Sequence, residues 1–347
     1  MNRTLYTAQD FPVFQNRMYD SAEEAAGCPK GQIELVEDQT SGLVRNAAFD
    51  PDLIVYDTAY QNEQANSVAF KGHLDWVAGL ISRTMGTENL IEVGCGKGTF
   101  LNMLAERGAD ITGFDPAFEG SDPRIRQVAF DPSLGMNGKG LILRHVLEHI
   151  PDPVSFLQDL AAANGHQGLI YIEVPCFDWI CDHKAWFDIF YEHVNYFRLS
   201  DFHRIFGNVV ASGRCFGGQY LYVVGDLSTV TRPTYTPADK VAFPHDLTAA
   251  LDPSALTEND VVWGGASKGV IYSLLRKRAE HPVRAVIDIN PAKQGKYLAG
   301  TGLRVNAPDE VLPNLPPMAR IMIMNPNYSE EIKAMAGIAL TYVEVGA

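Results

Sequence analysis

The sequence predicts an α/β fold built around a parallel sheet, and three observations predict it. A strand, glycine turn, helix and second strand run from Asn89 to Asp115. Short apolar runs then alternate with amphipathic stretches as far as Asp226, and a further strand, glycine loop and helix begins at Val261. Such alternation covers a parallel sheet with helices and leaves ligands at the carboxyl ends of the strands.

At 347 residues the chain exceeds one typical domain. Its pattern divides into a small N-terminal lobe (1–75), a core (76–226), a linker (227–260) and a smaller C-terminal α/β domain (261–347). A composition of 46% hydrophobic and 20% charged residues is that of an ordinary folded protein. The net charge of −14, without long runs of one sign, argues against nucleic acid or an anionic membrane as partner. No apolar run approaches 18 residues and no leader pattern opens the chain, so a cytoplasmic protein is expected. Five scattered cysteines fit reduced thiols in that compartment.

Before about residue 75 the aromatics Phe11, Phe14, Tyr19, Phe49, Tyr56 and Tyr60 follow no clear period, which suggests short strands and loops. From about Asn66 the pattern turns helical, with Val68, Leu74, Ala78 and Ile81 near one face. Tyr60 and Gln64, just ahead, read either as lying over a ligand mouth or as surface loop. The first core strand, Leu90 to Val93, ends in Gly94-Cys95-Gly96-Lys97-Gly98, and the next helix carries Phe100, Leu101 and Leu104 on one face. Residues 125–131, 140–146 and 168–175 supply three more strands, with a helix behind Pro151-Asp152-Pro153. A strand pair joined through Gly217-Gly218 closes the core at Asp226. Pro233, Pro237, Pro244 and Pro253 then mark the linker, read as carrying one helix, and AVIDINP, RIMIMNP and TYVEVG supply later strands.

The glycine turn selects its ligand by spacing. A dinucleotide site reads G-x-G-x-x-G, whereas here the third glycine comes one residue early and Glu92 stands just before the turn. A carboxylate there repels a pyrophosphate and attracts a cationic ligand with an amino group and a sulfonium. Asp115, about 20 positions on, suits a ribose diol.

The pattern E-x-G-x-G-x-G followed by Asp115 resembles motif I and the acidic loop of class I S-adenosylmethionine (SAM) methyltransferases, as does the wording HVLEHIPDP after the fourth strand. That resemblance implies a Rossmann-like seven-stranded sheet and a SAM site made by Glu92, Gly94, Cys95, Gly96, Gly98, Asp115, Pro116, Phe130, Arg144 and His145, with S-adenosylhomocysteine as product. His149 is expected to be packing.

The stretch between the fifth strand and the following helix, residues 175–197, is dense in aromatics and holds His183, Tyr191, Glu192 and His193. Its ending, FYEHVNYF, together with WGGASKG, IDINPAKQGKYLAGTGLRV and MNPNYSEEI, is similar to the nucleotide-sugar C-methyltransferases, which methylate a carbon next to the ketone of an NDP-4-keto-deoxysugar. The resemblance makes His193 the base that removes the α proton, with Glu192 orienting the imidazole or meeting a sugar hydroxyl and Tyr191 donating to the enolate oxygen. Tyr60, His183, Ser267, Lys268 and Asn325 are the expected substrate contacts, the Gly264 loop meeting the diphosphate or serving as a structural turn.

Two departures stand out. Many relatives read Tyr-His-Glu-His where this chain has Phe190-Tyr191-Glu192-His193, so the sugar or the methylated carbon is expected to differ. The family's zinc-binding Cys-x2-Cys pairs are missing: Cys28 is the only cysteine before Cys95, and Asp38 and Ser41 stand where the second pair belongs, so no metal is expected. The expected partner is a small-molecule substrate, and the chain a monomer or homodimer. Alternatives left open are a methyltransferase in which His193 deprotonates a hydroxyl or amine of another small metabolite, a nicotinamide-dependent oxidoreductase using the second glycine loop, and a non-catalytic sugar-nucleotide binding module.

Overall fold

The computed structural model describes residues 2–54, 67–248, 256–337 and 340–345. The chain opens with β1 (Asn2–Pro12), β2 (Met18–Tyr19), α1 (Ala22–Ala26), β3 (Lys30–Asp38) and β4 (Val44–Asn46). β1 and β3 pair antiparallel over most of their length, and β4 adds to β3. These strands are longer than the irregular aromatic spacing predicts, because register shifts between Thr4 and Tyr6 and between Ala8 and Phe11 break the alternation.

In α2 (Val68–Met85) the Ser67 hydroxyl accepts the Phe70 N–H at 3.3 Å and so caps the first turn. Leu74, Ala78 and Ile81 are buried as their spacing predicts, but Val68, at the first helical position, is 74% exposed. Tyr56, Tyr60 and Gln64 lie outside the described residues.

The central unit comprises β5 (Leu90–Val93), α3 (Thr99–Glu106), β6 (Ile111–Phe114), β7 (Ile125–Arg126), β8 (Gly140–Arg144), α4 (Pro153–Ala163), β9 (Leu169–Pro175), α5 (Phe177–Asp182), β10 (Asn195–Tyr196), α6 (Leu199–Ile205), β11 (Val209–Cys215) and β12 (Tyr220–Asp226). Seven of these strands form one sheet in the order β11-β12-β9-β8-β5-β6-β7. The five strands from β5 to β9 run parallel, and β12 lies antiparallel between β9 and β11. Class I methyltransferase topology, α/β with a seven-stranded sheet, is therefore present as expected.

Two strands fall short of their predicted lengths. The third stops at Arg126 and Phe130 turns back to pack on Phe114, their ring centroids 5.1 Å apart. The fourth stops at Arg144 because His145 takes a left-handed φ of 51°.

The aromatic stretch after β9 does more than decorate the sheet edge. Its β10 pairs antiparallel with β4, Asn195 opposite Arg45 and Tyr196 opposite Val44, so it completes a four-stranded sheet in the order β1-β3-β4-β10. Beyond β12 the chain makes short 3-10 turns at Leu227–Thr229 and Pro237–Asp239 and no α-helix among the described residues of 227–260. It is held by Arg198, whose guanidinium meets Asp178 and Asp239 at 2.9 and 2.8 Å.

The remaining elements are β13 (Asp260–Trp263), α7 (Ser267–Arg278), β14 (Ala285–Ile287), β15 (Tyr297–Leu298), β16 (Val305–Asn306), α8 (Pro308–Val311), β17 (Arg320–Ile323), α9 (Ser329–Ala336) and β18 (Thr341–Glu344). A second parallel sheet results, in the order β16-β14-β13-β17-β18, while β15 pairs with β2. Asp260, fully buried, ties this unit together by accepting from Arg276 at 2.9 Å and from Arg320 at 2.7 Å. Trp186 stacks on Tyr272 of α7 with centroids 5.4 Å apart, which packs the stretch after β9 against the second sheet. No helix among the described residues is long and apolar enough to cross a membrane.

Candidate active site

The glycine turn after β5 has the backbone that its sequence requires. Gly94, Gly96 and Gly98 have φ of 73°, 53° and 78°, and a Cβ on Gly94 would come within 2.5 Å of Val146. Asp115 latches the turn: its Oδ2 accepts the Gly96 N–H at 2.7 Å while Oδ1 accepts that of Ala117 at 2.8 Å. Glu92 is buried beneath the turn with Oε2 lacking a hydrogen-bond partner among the described residues. Burial pushes its carboxyl up to about 8 against the pull of Arg144. An unpartnered buried oxygen beside three left-handed glycines is a socket for a donor, and a ligand ammonium is a donor of the right charge. Cys95, buried in the same turn, is pushed up to about 12 by burial and stays a thiol. Pro116 follows on the exposed rim.

Next to this turn lies a buried charge cluster. Glu173 of β9 pairs with Arg144 at 2.9 Å, with His145 Nε2 at 3.1 Å and with His73 of α2 at 3.1 Å, and accepts the Tyr171 hydroxyl at 2.7 Å. Burial alone would raise its pKa, but Arg144, His145 and His73 hold it well below the carboxylate range. Arg144 also lies over the Phe100 ring at 4.6 Å, reaching back to the helix of the glycine turn. His145 sits between two carboxylates, its Nδ1 3.4 Å from Glu148. Burial disfavours its charge, yet Glu148 and Glu173 outweigh that and push it up to about 9.

A short 3-10 turn after β8, Leu147–His149, carries Glu148 inward and His149 toward the stretch after β9. There the His149 and His193 rings meet edge to face at 5.1 Å, and Phe190 closes on His193 at 4.8 Å. A carboxylate oxygen of Glu148 and a ring nitrogen each of His149 and His193 all lie within 4.8 Å of one another. Burial, reinforced by His149, pushes His193 down to about 3, so it is a neutral imidazole at neutral pH.

The expected trio does not stay together. The Glu192 carboxylate accepts the Gln15 N–H at 3.0 Å, and the Tyr191 hydroxyl accepts the Asp50 N–H at 2.8 Å with its ring stacked on Phe49 at 5.5 Å. Both side chains thus fasten the stretch to the loops of the N-terminal lobe, and His193 meets Glu148 and His149 instead. That grouping had one signal in the sequence, the spacing of His145, Glu148 and His149 at the end of a strand.

A cleft of about 990 Å³, its open mouth included, separates the central unit from the second sheet; Asn16, Tyr220, Trp263, Lys268, Asp288 and Asn325 contribute to its walls. The second glycine loop repeats the latch of the first, Asp288 Oδ2 accepting the Gly265 N–H at 2.8 Å. Ser267 donates to Asn16 at 2.9 Å, and Lys268 donates to Gln219 at 2.9 Å while pairing with Asp188 at 3.1 Å. Asn325 accepts from Gln219 at 2.8 Å. Ser267, Lys268 and Asn325 therefore line the cleft already engaged by protein groups. His183 is exposed and stacks at 4.8 Å on Trp179, whose ring centroid lies 4.9 Å from the Lys268 Nζ, and does not itself line the cleft. Tyr60 lies outside the described residues.

A family model described as a methyltransferase domain matches residues 27–209. Among solved structures, magnesium protoporphyrin IX methyltransferase from Synechocystis PCC 6803 with bound SAM is 16% identical, covering 46% of this chain and 80% of that one with a TM-score of 0.33. A SAM dependent methyltransferase from Archaeoglobus fulgidus is 16% identical over 45% of this chain and 95% of that one, with a TM-score of 0.33. For the N-methyltransferase NodS from Bradyrhizobium japonicum WM9 the figures are 12%, 45%, 95% and 0.32. Overlaps of that size carry no argument about substrate. No curated protein matches the chain.

Proposed function

The chain belongs to the methyltransferase-domain family, and from that premise we propose that it moves the methyl of SAM to the carbon next to the ketone of a nucleotide-linked keto-deoxysugar. On the cofactor side, the orphaned Glu92 oxygen suits the ammonium of SAM and Asp115 suits its ribose, with Arg144 acting on Glu92 and Phe130 packed on Phe114 beside Asp115. On the acceptor side, the observation that carries the reading is the place of His193, on the stretch that leaves the carboxyl end of β9 and within 4.8 Å of a Glu148 carboxylate oxygen.

In this reading His193 takes the α proton as the C–H electron pair moves into an enolate. The enolate carbon then attacks the SAM methyl in line, the C–S bond breaks toward sulfur, and S-adenosylhomocysteine leaves. The remaining proton on His193 passes to water. The cleft beside the second glycine loop takes the nucleotide half, where Ser267, Lys268 and Asn325 have to exchange protein partners for phosphate oxygens. Glu192 and Tyr191 contribute by fixing the backbone that carries His193.

The experiment is mass spectrometry of products after incubation with methyl-labelled SAM and a panel of NDP-4-keto-deoxysugars, with His193→Ala alongside. A base-stable, carbon-bound label with wild type, reduced by roughly 10² to 10⁴ in the variant, is the expected result. SAM binding with no label on any keto-sugar would reject the acceptor and leave the methyltransferase, in which case a hydroxyl or amine of another small metabolite becomes the target.

A further inference from the structure

We propose that Glu148 is the positioning carboxylate of the base, holding His193 in one tautomer with its N–H toward Glu148 and its other ring nitrogen bare toward the acceptor. The inference rests on the reading of His193 as the base.

Geometry carries it. Glu148 is 1% exposed, and its Oε1 is occupied by His145 Nδ1 at 3.4 Å. Oε2 has no hydrogen-bond partner among the described residues, although the ring nitrogens of His149 and His193 lie within 4.8 Å of the carboxylate. Leaving a buried carboxylate oxygen without a donor is destabilising, so its retention needs a reason. His149 already spends one ring N–H elsewhere: its Nδ1 lies 2.9 Å from the Glu192 carbonyl, which can only accept. His193 is then the ring that can turn an N–H to Glu148, closing the gap as SAM fills the site, since catalytic hydrogen bonds commonly tighten on binding.

Charge points the same way. The ionisable groups acting on His193 are His149 and Glu148 from the turn after β8, His145 at the end of β8 and Lys268 from α7; of these, Glu148 alone favours an imidazolium. As the α proton arrives, the positive charge forms beside a carboxylate that is already ionised and already dry. An orienting carboxylate serves imidazole bases in this way, fixing the tautomer without taking the proton. Glu148 in turn is anchored through His145 to Glu173.

The test compares full-length wild type, Glu148→Gln and Glu148→Asp, with His193→Ala to assign the His193 resonances. In ¹⁵N-histidine NMR at pH 7 with SAM and no acceptor, wild type and Glu148→Asp should show one His193 tautomer, and Glu148→Gln, whose amide can turn either end to the ring, a mixture. With the acceptor, Glu148→Gln should lower kcat by 10- to 1,000-fold with KM and SAM affinity within about twofold, and Glu148→Asp should recover part of the loss. An unchanged tautomer in Glu148→Gln, or KM rising in step with the fall in kcat, overturns the proposal. If the tautomer shifts but no keto-sugar is methylated, Glu148 stands and the acceptor assignment fails.

Discussion

His149 Nδ1 lies 2.9 Å from the main-chain oxygen of Glu192, which joins the turn after β8 to the stretch that carries His193. The contact fixes which nitrogen of His149 is protonated and holds the His193 backbone in place. His149→Ala should leave that carbonyl without a partner and destabilise the protein by about 1–3 kcal/mol. His149→Asn, whose amide N–H sits near the Nδ1 position, should recover most of it. Urea midpoints of the three proteins test this.

Glu92 makes SAM binding depend on pH. Its carboxyl is mostly protonated below about 8 and must ionise to meet a ligand ammonium. SAM affinity should rise by up to about tenfold per pH unit from pH 6 toward 8, with proton release on binding, and fall above about 8 as the ligand ammonium loses its own proton. Glu92→Gln should bind weakly at every pH and lose the slope. Calorimetry in buffers of different ionisation enthalpy measures both quantities.

His145 has a folded pKa raised to about 9 from an ordinary 6.5, so its charge interactions stabilise the fold fully below pH 6.5. That contribution is lost as pH rises from 6.5 through 9. Stability should therefore fall by up to a few kcal/mol over that window, and His145→Gln should flatten this part of the curve. Denaturant titrations at half-unit pH steps decide it.

Asp260 faces Arg276, which is fully buried, and Arg320. Burial would raise its pKa, but the two arginines and Thr257 hold it below the ordinary range. Asp260→Asn leaves the Arg276 guanidinium buried without a counter-charge, a loss of about 3–5 kcal/mol. Proteolysis should then cut preferentially within 261–345, while Asp260→Glu should be milder.

The parts of the fold that could be read in the sequence are those whose physics is local. Leu90 to Asp115 announces strand, turn and helix because the apolar period and the glycines act within a few residues of one another, and Gly94, Gly96 and Gly98 are all left-handed. Leu74, Ala78 and Ile81 likewise report one helix face. What was not legible depends on partners far along the chain. β10 is two residues long and exists through its pairing with β4, so no periodicity marks it. Glu148 meets His193 across 45 positions, and Tyr191 finds Asp50 across 141, so an unaided motif reading assigns their side chains to the reaction or to nothing. Lys268 reads as a phosphate ligand from its glycine loop, but Asp188 and Gln219 reach it first.

The pairing of β4 with β10 has a consequence for how the protein is made. Arg45 waits for Asn195, about 150 residues later in the chain. At a synthesis rate of about 5–20 residues per second, the edge of β4 spends roughly 8–30 s uncovered on the ribosome. Through that interval the nascent lobe presents unpaired N–H and C=O groups to any strand nearby, its own sister chains on the same message included. A chaperone that holds the lobe until the residues around His193 emerge would therefore govern yield, and the strand that positions the base would be the one that ends the wait.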